Sequence, residues 1–188
     1  MISQKPLRHL YLGGARSGKS VLSESAAHAW LQDHPDGQVV YVATAQALDN
    51  EMQARVHKHQ QRRPDNWLLI EEPMQLAEVL LAQSSAQQTT CVLVDCLTLW
   101  LSNHLCQKAD GNTDVEAVAG QAVRELTAVV KQYTGQLILV SNEVGSGIVP
   151  MGELSRQFQD LSGWMNQALA RECDKVTLVV AGLPLSLK

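Results

Sequence analysis

The chain has 188 residues, 45% of them hydrophobic and 18% charged, with fifteen basic against nineteen acidic residues for a formal net charge of −4. That length fits one domain over residues 1–188, the composition excludes wholesale disorder, and the acidic balance argues against a broad basic footprint for nucleic acid. No apolar stretch reaches the roughly 18 residues that span a bilayer, and residues 1–9 are too polar and short for a signal peptide, so a soluble, cytoplasmic protein without stable membrane insertion is expected.

In chain order, residues 7–12 form a short apolar run that ends in Gly13-Gly14, and residues 20–31 carry small and apolar side chains at helical spacing. Residues 39–43 are a β-branched run of the kind found in strands covered on both faces. Residues 49–62 read as a polar helix stopped by Pro64, because the residue before proline disfavours the α conformation. A strand at 67–70, a helix at 74–83 and a polar connector at 84–90 follow. Residues 91–95 read as a second buried strand, and the apolar segment 97–105 after them suits either core or a subunit interface. Beyond a loop at 107–113 come a long amphipathic helix (115–132), a strand (136–140), a glycine-rich loop (141–150), a helix (153–170) and a final strand (175–180). Strands alternating with helices of these lengths predict an α/β domain with a largely parallel sheet flanked by helices.

Cys91, Cys96, Cys106 and Cys173 contain no C-x-x-C pair. They make neither a disulfide framework nor a zinc site, and Cys91 and Cys96 read as small buried hydrophobes.

The strongest chemical signal is Gly13-Gly14-Ala15-Arg16-Ser17-Gly18-Lys19-Ser20, which fits G-x-x-x-x-G-K-[ST] between a strand and a helix. Glycines let successive backbone N–H groups turn toward phosphate oxygens, and the helix N-terminus adds positive potential. Lys19 would bridge the β- and γ-phosphates of a nucleoside triphosphate, and the Ser20 hydroxyl would bind Mg²⁺. The strand ending in Asp95 has the form that delivers a carboxylate to the same ion. Many buried strands end in Asp at a turn, so this pattern gains its weight from the phosphate loop.

Residues 49–64 hold Glu51, Arg55, His57, Lys58, His59, Arg62 and Arg63, which the bland reading makes a solvated helix face. Two residues apart on a helix, His57 and His59 point about 200° apart and cannot share one ion. Arg55 and His59 share a face. Neighbouring arginines would keep the His59 imidazole neutral and nucleophilic, as attack on a phosphate requires. The loop SNEVGSGIVP at 141–150 follows a strand and could line a ligand crevice, or its glycines could be turn punctuation. In the helix after it, Leu154, Phe158, Leu161, Met165 and Leu169 form a core stripe. Arg156, Asp160, Gly163 and Gln167 form a second stripe that is equally a solvated face.

The combination of GGARSGKS, Tyr41-Val42-Ala43-Thr44-Ala45-Gln46, Arg55-Val56-x-x-His59-x-x-x-Arg63-Pro64-x-x-Trp67 and Asp95-Cys96-Leu97-Thr98 closely resembles one family. The match continues through Leu99-Trp100-Leu101-Ser102-Asn103, SNEVGSGIVP, Arg156-x-Phe158-x-Asp160-x-x-Gly163-x-x-Asn166-Gln167 and Ala181-Gly182-Leu183-Pro184. That family is the bifunctional adenosylcobinamide kinase / adenosylcobinamide-phosphate guanylyltransferase of cobalamin biosynthesis. The resemblance implies a P-loop NTPase of RecA-like fold and a propeller-shaped homotrimer. It implies two reactions: phosphorylation of the aminopropanol hydroxyl of adenosylcobinamide by ATP or GTP, then transfer of GMP from GTP to the new phosphate, giving adenosyl-GDP-cobinamide and pyrophosphate. It further implies that His59 is the residue guanylylated as a covalent intermediate. The nucleotide-binding positions it implies are 13–20 (Gly13, Gly14, Ala15, Arg16, Ser17, Gly18, Lys19 and Ser20), Ala43, Thr44 and Ala45, Gln60, Gln61, Arg62 and Arg63, Glu71 and Asp95. Gln60 departs from the Arg or Lys common in the family, which removes one possible phosphate contact. Two rival readings remain: a P-loop small-molecule kinase with no use for His59, and a RecA-like ATPase serving as a nucleic-acid or assembly module, which the charge and low aromatic content disfavour.

Overall fold

The structure, a computed structural model, describes residues 6–46, 64–85, 89–106 and 114–188. The expected helix at 49–62 and the loop at 107–113 lie outside those residues. Seven strands form one sheet: β1 Arg8–Gly13, β2 Gln38–Ala43, β3 Leu68–Glu71, β4 Thr90–Asp95, β5 Gln136–Asn142, β6 Lys175–Val180 and β7 Leu183–Ser186. Their order is β3-β2-β4-β5-β1-β6-β7. All pairs are parallel except β6 with β7. The helices among the described residues are α1 Lys19–Asp33, α2 Leu76–Ser84, α3 Leu97–Leu105, α4 Val115–Gln132 and α5 Glu153–Glu172.

The continuous apolar runs of the central strands reflect burial on both faces, with successive side chains alternating sides. Leu10, Val40, Val42, Val92, Val94, Leu137 and Leu139 meet α2, α3, α4 and α5 on one face. Tyr11, Val39, Tyr41, Cys91, Leu93 and Ile138 meet α1 on the other. The segment with two readings is α3, and its large side chain is core: Trp100 is 1% exposed and donates Nε1–H to the Met74 carbonyl at 2.8 Å. The α5 stripe is core at Leu161, Met165 and Leu169, but Leu154, the second residue of the helix, is exposed. All four cysteines are free; Cys91, Cys96 and Cys173 are buried and Cys106 is exposed.

Two differences from the expected elements matter for function. Strand β5 runs on to Asn142 rather than stopping at residue 140, because parallel pairing with β1 continues through Leu12↔Ser141 and Gly13↔Asn142. The tail forms β7, an antiparallel partner for β6 after a turn at Ala181 and Gly182. Lys188 then places Nζ on the carbonyls of Ala170, Arg171 and Cys173 at 3.2, 3.0 and 2.6 Å, a cation on the negative end of α5.

His9 lies at the opposite end of β1 from the glycines, with Nε2 2.8 Å from Thr177 Oγ1 and its ring stacked 4.1 Å from Tyr11. Burial, with Lys175 as a second cause, pushes its pKa down to about 4. A histidine held neutral in the fold binds its proton more readily once unfolded, so it removes stability as pH falls from about 6.5 toward 4. Replacing it by glutamine removes that titration, and thermal melts should show the gap between the wild type and His9→Gln narrowing as pH falls from neutral through this window.

Candidate nucleotide site

The register of the sheet gathers the predicted site residues from distant segments. Gly13 pairs with Asn142, Ala43 with both Glu71 and Asp95, and Asp95 with Val140. The carboxyl ends of β1, β2, β3, β4 and β5 therefore form one crest, where α/β sheets bind ligands. Because β5 lies between β1 and β4, the strands that carry the glycine loop and Asp95 run about 10 Å apart, twice the interstrand spacing.

The loop after β1 closes with Ser17 N–H on the Gly14 carbonyl at 3.2 Å, and α1 starts with Leu22 N–H on the Gly18 carbonyl at 3.1 Å. Gly18 has φ 97° and Arg16 φ 57°, the left-handed region that favours glycine. An added Cβ at Gly13 would sit 2.5 Å from both Ser17 Oγ and the Val179 carbonyl. Gly14, Ala15 and Arg16 are exposed, and Ser20 is half-buried in the first turn of α1. Lys19 is 8% exposed and donates Nζ–H to the Gly14 carbonyl at 3.1 Å. Burial pulls its pKa down, while Cys96 and Asp95 push it up. An ammonium drawn from water in this way gains more from an anion than an exposed one would.

Asp95 is held on the far side of the crevice by the Tyr41 hydroxyl, which donates to Oδ2 at 3.1 Å. A brace backs it. Thr44, fully buried, accepts from Cys96 N–H at 2.9 Å and donates to the Cys96 carbonyl at 2.7 Å. Asn103 on α3 then donates to the carbonyls of Thr44 and Pro73 at 2.8 and 3.0 Å. The Thr44 hydroxyl is thus committed to holding the turn after β2 against the turn after β4. Ala43 and Ala45 are half-buried beside it, and Glu71 is exposed at the tip of β3. Ser20 and Asp95 offer a hydroxyl and a carboxylate, the hard oxygen donors that suit Mg²⁺ when phosphates and water complete its shell.

His59, Gln60, Gln61, Arg62 and Arg63 lie outside the described residues, as do Arg55 and His57.

Sequence reasoning missed the fastening of the loop after β5. Glu143 N–H bonds the Gly13 carbonyl at 3.2 Å, and its carboxylate accepts from Gly145 N–H and the Ser146 hydroxyl at 2.8 and 2.7 Å. Those bonds hold its pKa below the usual range, the Ser146 bond most of all. From α5, Asn166 donates to the Asn142 carbonyl at 3.1 Å, Gln159 to the Val144 carbonyl at 3.2 Å, and Arg156 to the carbonyls of Pro150 and Met151. The residues that grip the loop are Arg156, Gln159 and Asn166, spaced three and seven apart on one helix face, and only Arg156 belongs to the second stripe picked from the sequence. A row of donor side chains at that spacing was the available signal.

Comparison with known proteins gives the family. The model of the family described as cobinamide kinase / cobinamide phosphate guanyltransferase matches residues 9–187. The chain is 47% identical to the bifunctional adenosylcobalamin biosynthesis protein CobP of Pseudomonas aeruginosa, over 97% of this chain and 98% of that protein. It is 37% identical to the corresponding CobU of Escherichia coli K12, over 95% and 98%. Among solved structures, an ATPase domain is similar in fold, with a TM-score of 0.52, 13% identity, and coverage of 92% of this chain and 68% of that one. The chain belongs to the cobinamide kinase / cobinamide phosphate guanyltransferase family, on a RecA-like P-loop fold.

Among the described residues, Lys19 is the buried cation at this site. Lys19→Ala should weaken nucleoside triphosphate binding by about 3 kcal/mol, more than a hundredfold. Calorimetric titration with GTP checks it, and an unchanged affinity would remove the phosphate loop from nucleotide binding.

Proposed function

We propose that this member of the family phosphorylates the aminopropanol hydroxyl of adenosylcobinamide with ATP or GTP and then transfers GMP from GTP to the resulting phosphate through a guanylylated His59, in the cytoplasm. The observation that carries the reading is the enclosed Lys19 facing Asp95 across the sheet crest, in a chain that matches the bifunctional family from residue 9 to 187. In the kinase step, the loop amides and Lys19 hold the phosphate chain in line with the attacking hydroxyl. In the transfer step, the His59 imidazole attacks the α-phosphorus, the bond to the bridging oxygen breaks, and pyrophosphate leaves. A phosphate oxygen of adenosylcobinamide phosphate then attacks the same phosphorus and releases the imidazole, splitting one hard displacement into two. Glu71, Ala43, Ala45 and residues 60–63 complete the nucleotide contacts in this reading. Ser20 and Asp95 would hold Mg²⁺, which when bound neutralises phosphate charge.

The reading includes a homotrimer. Leu183, Leu185 and Leu187 are 72%, 58% and 56% exposed, every second residue along and just past the edge strand β7, so one face of that edge is apolar and uncovered. Among the described residues no helix is long and apolar enough to cross a membrane.

Incubation with α-labelled GTP tests the transfer chemistry directly. The wild type should retain one GMP per chain after denaturation, through an acid-labile, alkali-stable phosphoramidate. His59→Ala should lose the label and guanylyl transfer while still phosphorylating adenosylcobinamide, and His57→Ala should keep the label. A protein that never retains label is a kinase without guanylylation. Light scattering at micromolar concentration should give three times the chain mass, and a monomeric mass would refute the trimer.

A further inference from the structure

The loop after β5 carries the two most exposed large apolar side chains among the described residues, Met151 at 97% and Ile148 at 96%. Val149 and Leu154 beside them in the chain are exposed as well. Single exposed aliphatics are ordinary, but four among residues 148–154 mark a surface made to be covered. The backbone under them is fastened at both ends. Glu143 bonds the Gly13 carbonyl and gathers Gly145 and Ser146 on its carboxylate, while Arg156 holds the carbonyls of Pro150 and Met151. A held backbone that presents bare apolar side chains has met much of its ordering cost before a ligand arrives.

Gly147 lies next to this group. A Cβ added there would meet nothing within 4 Å, and the glycines with positive φ among the described residues are Gly18 and Gly182. Neither packing nor backbone conformation in the free chain calls for glycine at 147. Close approach of a ligand to the backbone is the remaining use of a missing side chain.

The place of the loop selects the ligand. It leaves the crest at a main-chain bond to Gly13, the first residue of the phosphate loop. Ile148 follows Glu143 by five residues, a reach of at most about 18 Å. An acceptor whose hydroxyl meets a phosphate at the crest must lay its remaining bulk against the neighbouring loops. In adenosylcobinamide that bulk is a corrin macrocycle, broad and rigid, studded with methyl groups and rimmed by uncharged carboxamides. Aliphatic side chains on a flat stretch of backbone match such a surface, and charged ones would not. A second copy of the chain is the competing occupant. It would need about 800 Å² from each partner, more than one loop tip provides, whereas a single macrocycle needs one platform of this kind.

We propose that Ile148, Val149 and Met151, with the bare backbone at Gly147, seat the corrin macrocycle of the acceptor and so hold its reacting arm beside the phosphate loop. The inference rests on the reading of adenosylcobinamide as the acceptor. These contacts are made to the acceptor alone, so they act on its binding and not on that of the nucleotide.

Steady-state phosphorylation measures KM for adenosylcobinamide and for ATP in the wild type, the double variant Ile148→Ser with Met151→Ser, Ile148→Leu and Gly147→Ala. Light scattering and thermal melts run alongside. The double variant should raise KM for adenosylcobinamide about tenfold through lost apolar contact. Its KM for ATP should stay within about twofold, with the mass and melting temperature of the wild type, because the replaced side chains are exposed. Ile148→Leu keeps the apolar surface and should match the wild type for both substrates. Gly147→Ala should raise the acceptor KM without lowering the melting temperature, since its Cβ meets nothing in the free chain. An unchanged acceptor KM in the double variant and in Gly147→Ala overturns the proposal. So does an equal rise in both KM values, which would place the effect on the phosphate loop, or a reduced mass, which would make the loop a contact between copies. A wild type that phosphorylates no adenosylcobinamide overturns the acceptor reading itself, a result seen before any variant is made.

Discussion

The close approach of backbone to backbone beneath the phosphate loop is the constraint on which the rest of the site depends. Gly18 takes φ 97°, and a Cβ there would lie 3.2 Å from the Gly182 Cα. Gly182, itself at φ 80°, returns an N–H to the Ser17 carbonyl at 2.8 Å. On the other side, Gly13 has no room for a side chain between Ser17 and the Val179 carbonyl. Gly13 and Gly18 thus let the loop, the tip of β1 and the β6–β7 turn sit against one another, and Gly182 supplies the left-handed conformation that turn needs. Larger residues at positions 13 or 18 would force the loop outward and redirect its amides.

From that fixed point, the crest is organised by main-chain bonds that cross between strands. Glu143 ties the loop after β5 to β1, and Thr44 ties the turn after β2 to the turn after β4. Asn103, Asn166 and Gln159 reach up from helices on the other face to hold the carbonyls these turns leave open. Each of these polar side chains satisfies a backbone group that a turn would otherwise leave unpaired near the core. The result is a set of rigid strand ends that carry the Lys19 ammonium and the Asp95 carboxylate.

The parallel sheet was legible because β-branched and aliphatic runs such as Val39–Val40 and Val92–Val94 cannot sit anywhere but inside, and the phosphate loop was legible because its glycines and its Lys-Ser pair are local. What was not legible depends on partners far along the chain. The extension of β5 to Asn142 is set by β1 rather than by the polar Ser141-Asn142 pair, whose composition reads as loop. The short tail becomes a strand because β6 offers it an edge. Gly182 could be matched to a family pattern, but its physical reason, a left-handed backbone at φ 80° in the turn that bonds the Ser17 carbonyl, exists only in three dimensions. The grip of Gln159 and Asn166 on the loop after β5 escaped because polar helix residues read as solvated by default.

The brace beneath the phosphate loop also shapes how the chain acquires its structure. Strand β1 lies between β5 and β6, and the loop at residues 13–20 is buttressed by residues 181–182, so the first βα unit has little to pair with until more than a hundred later residues are in place. Contacts of such sequence separation carry a large loop-closure cost and form late. The loop at residues 13–20 is consequently a product of global folding, and partially folded forms that already hold the β2–β4 pair would lack its braced shape. An emerging polypeptide of this topology shapes that loop only near the end of assembly, which couples the pool of molecules with a formed loop tightly to the pool of finished ones.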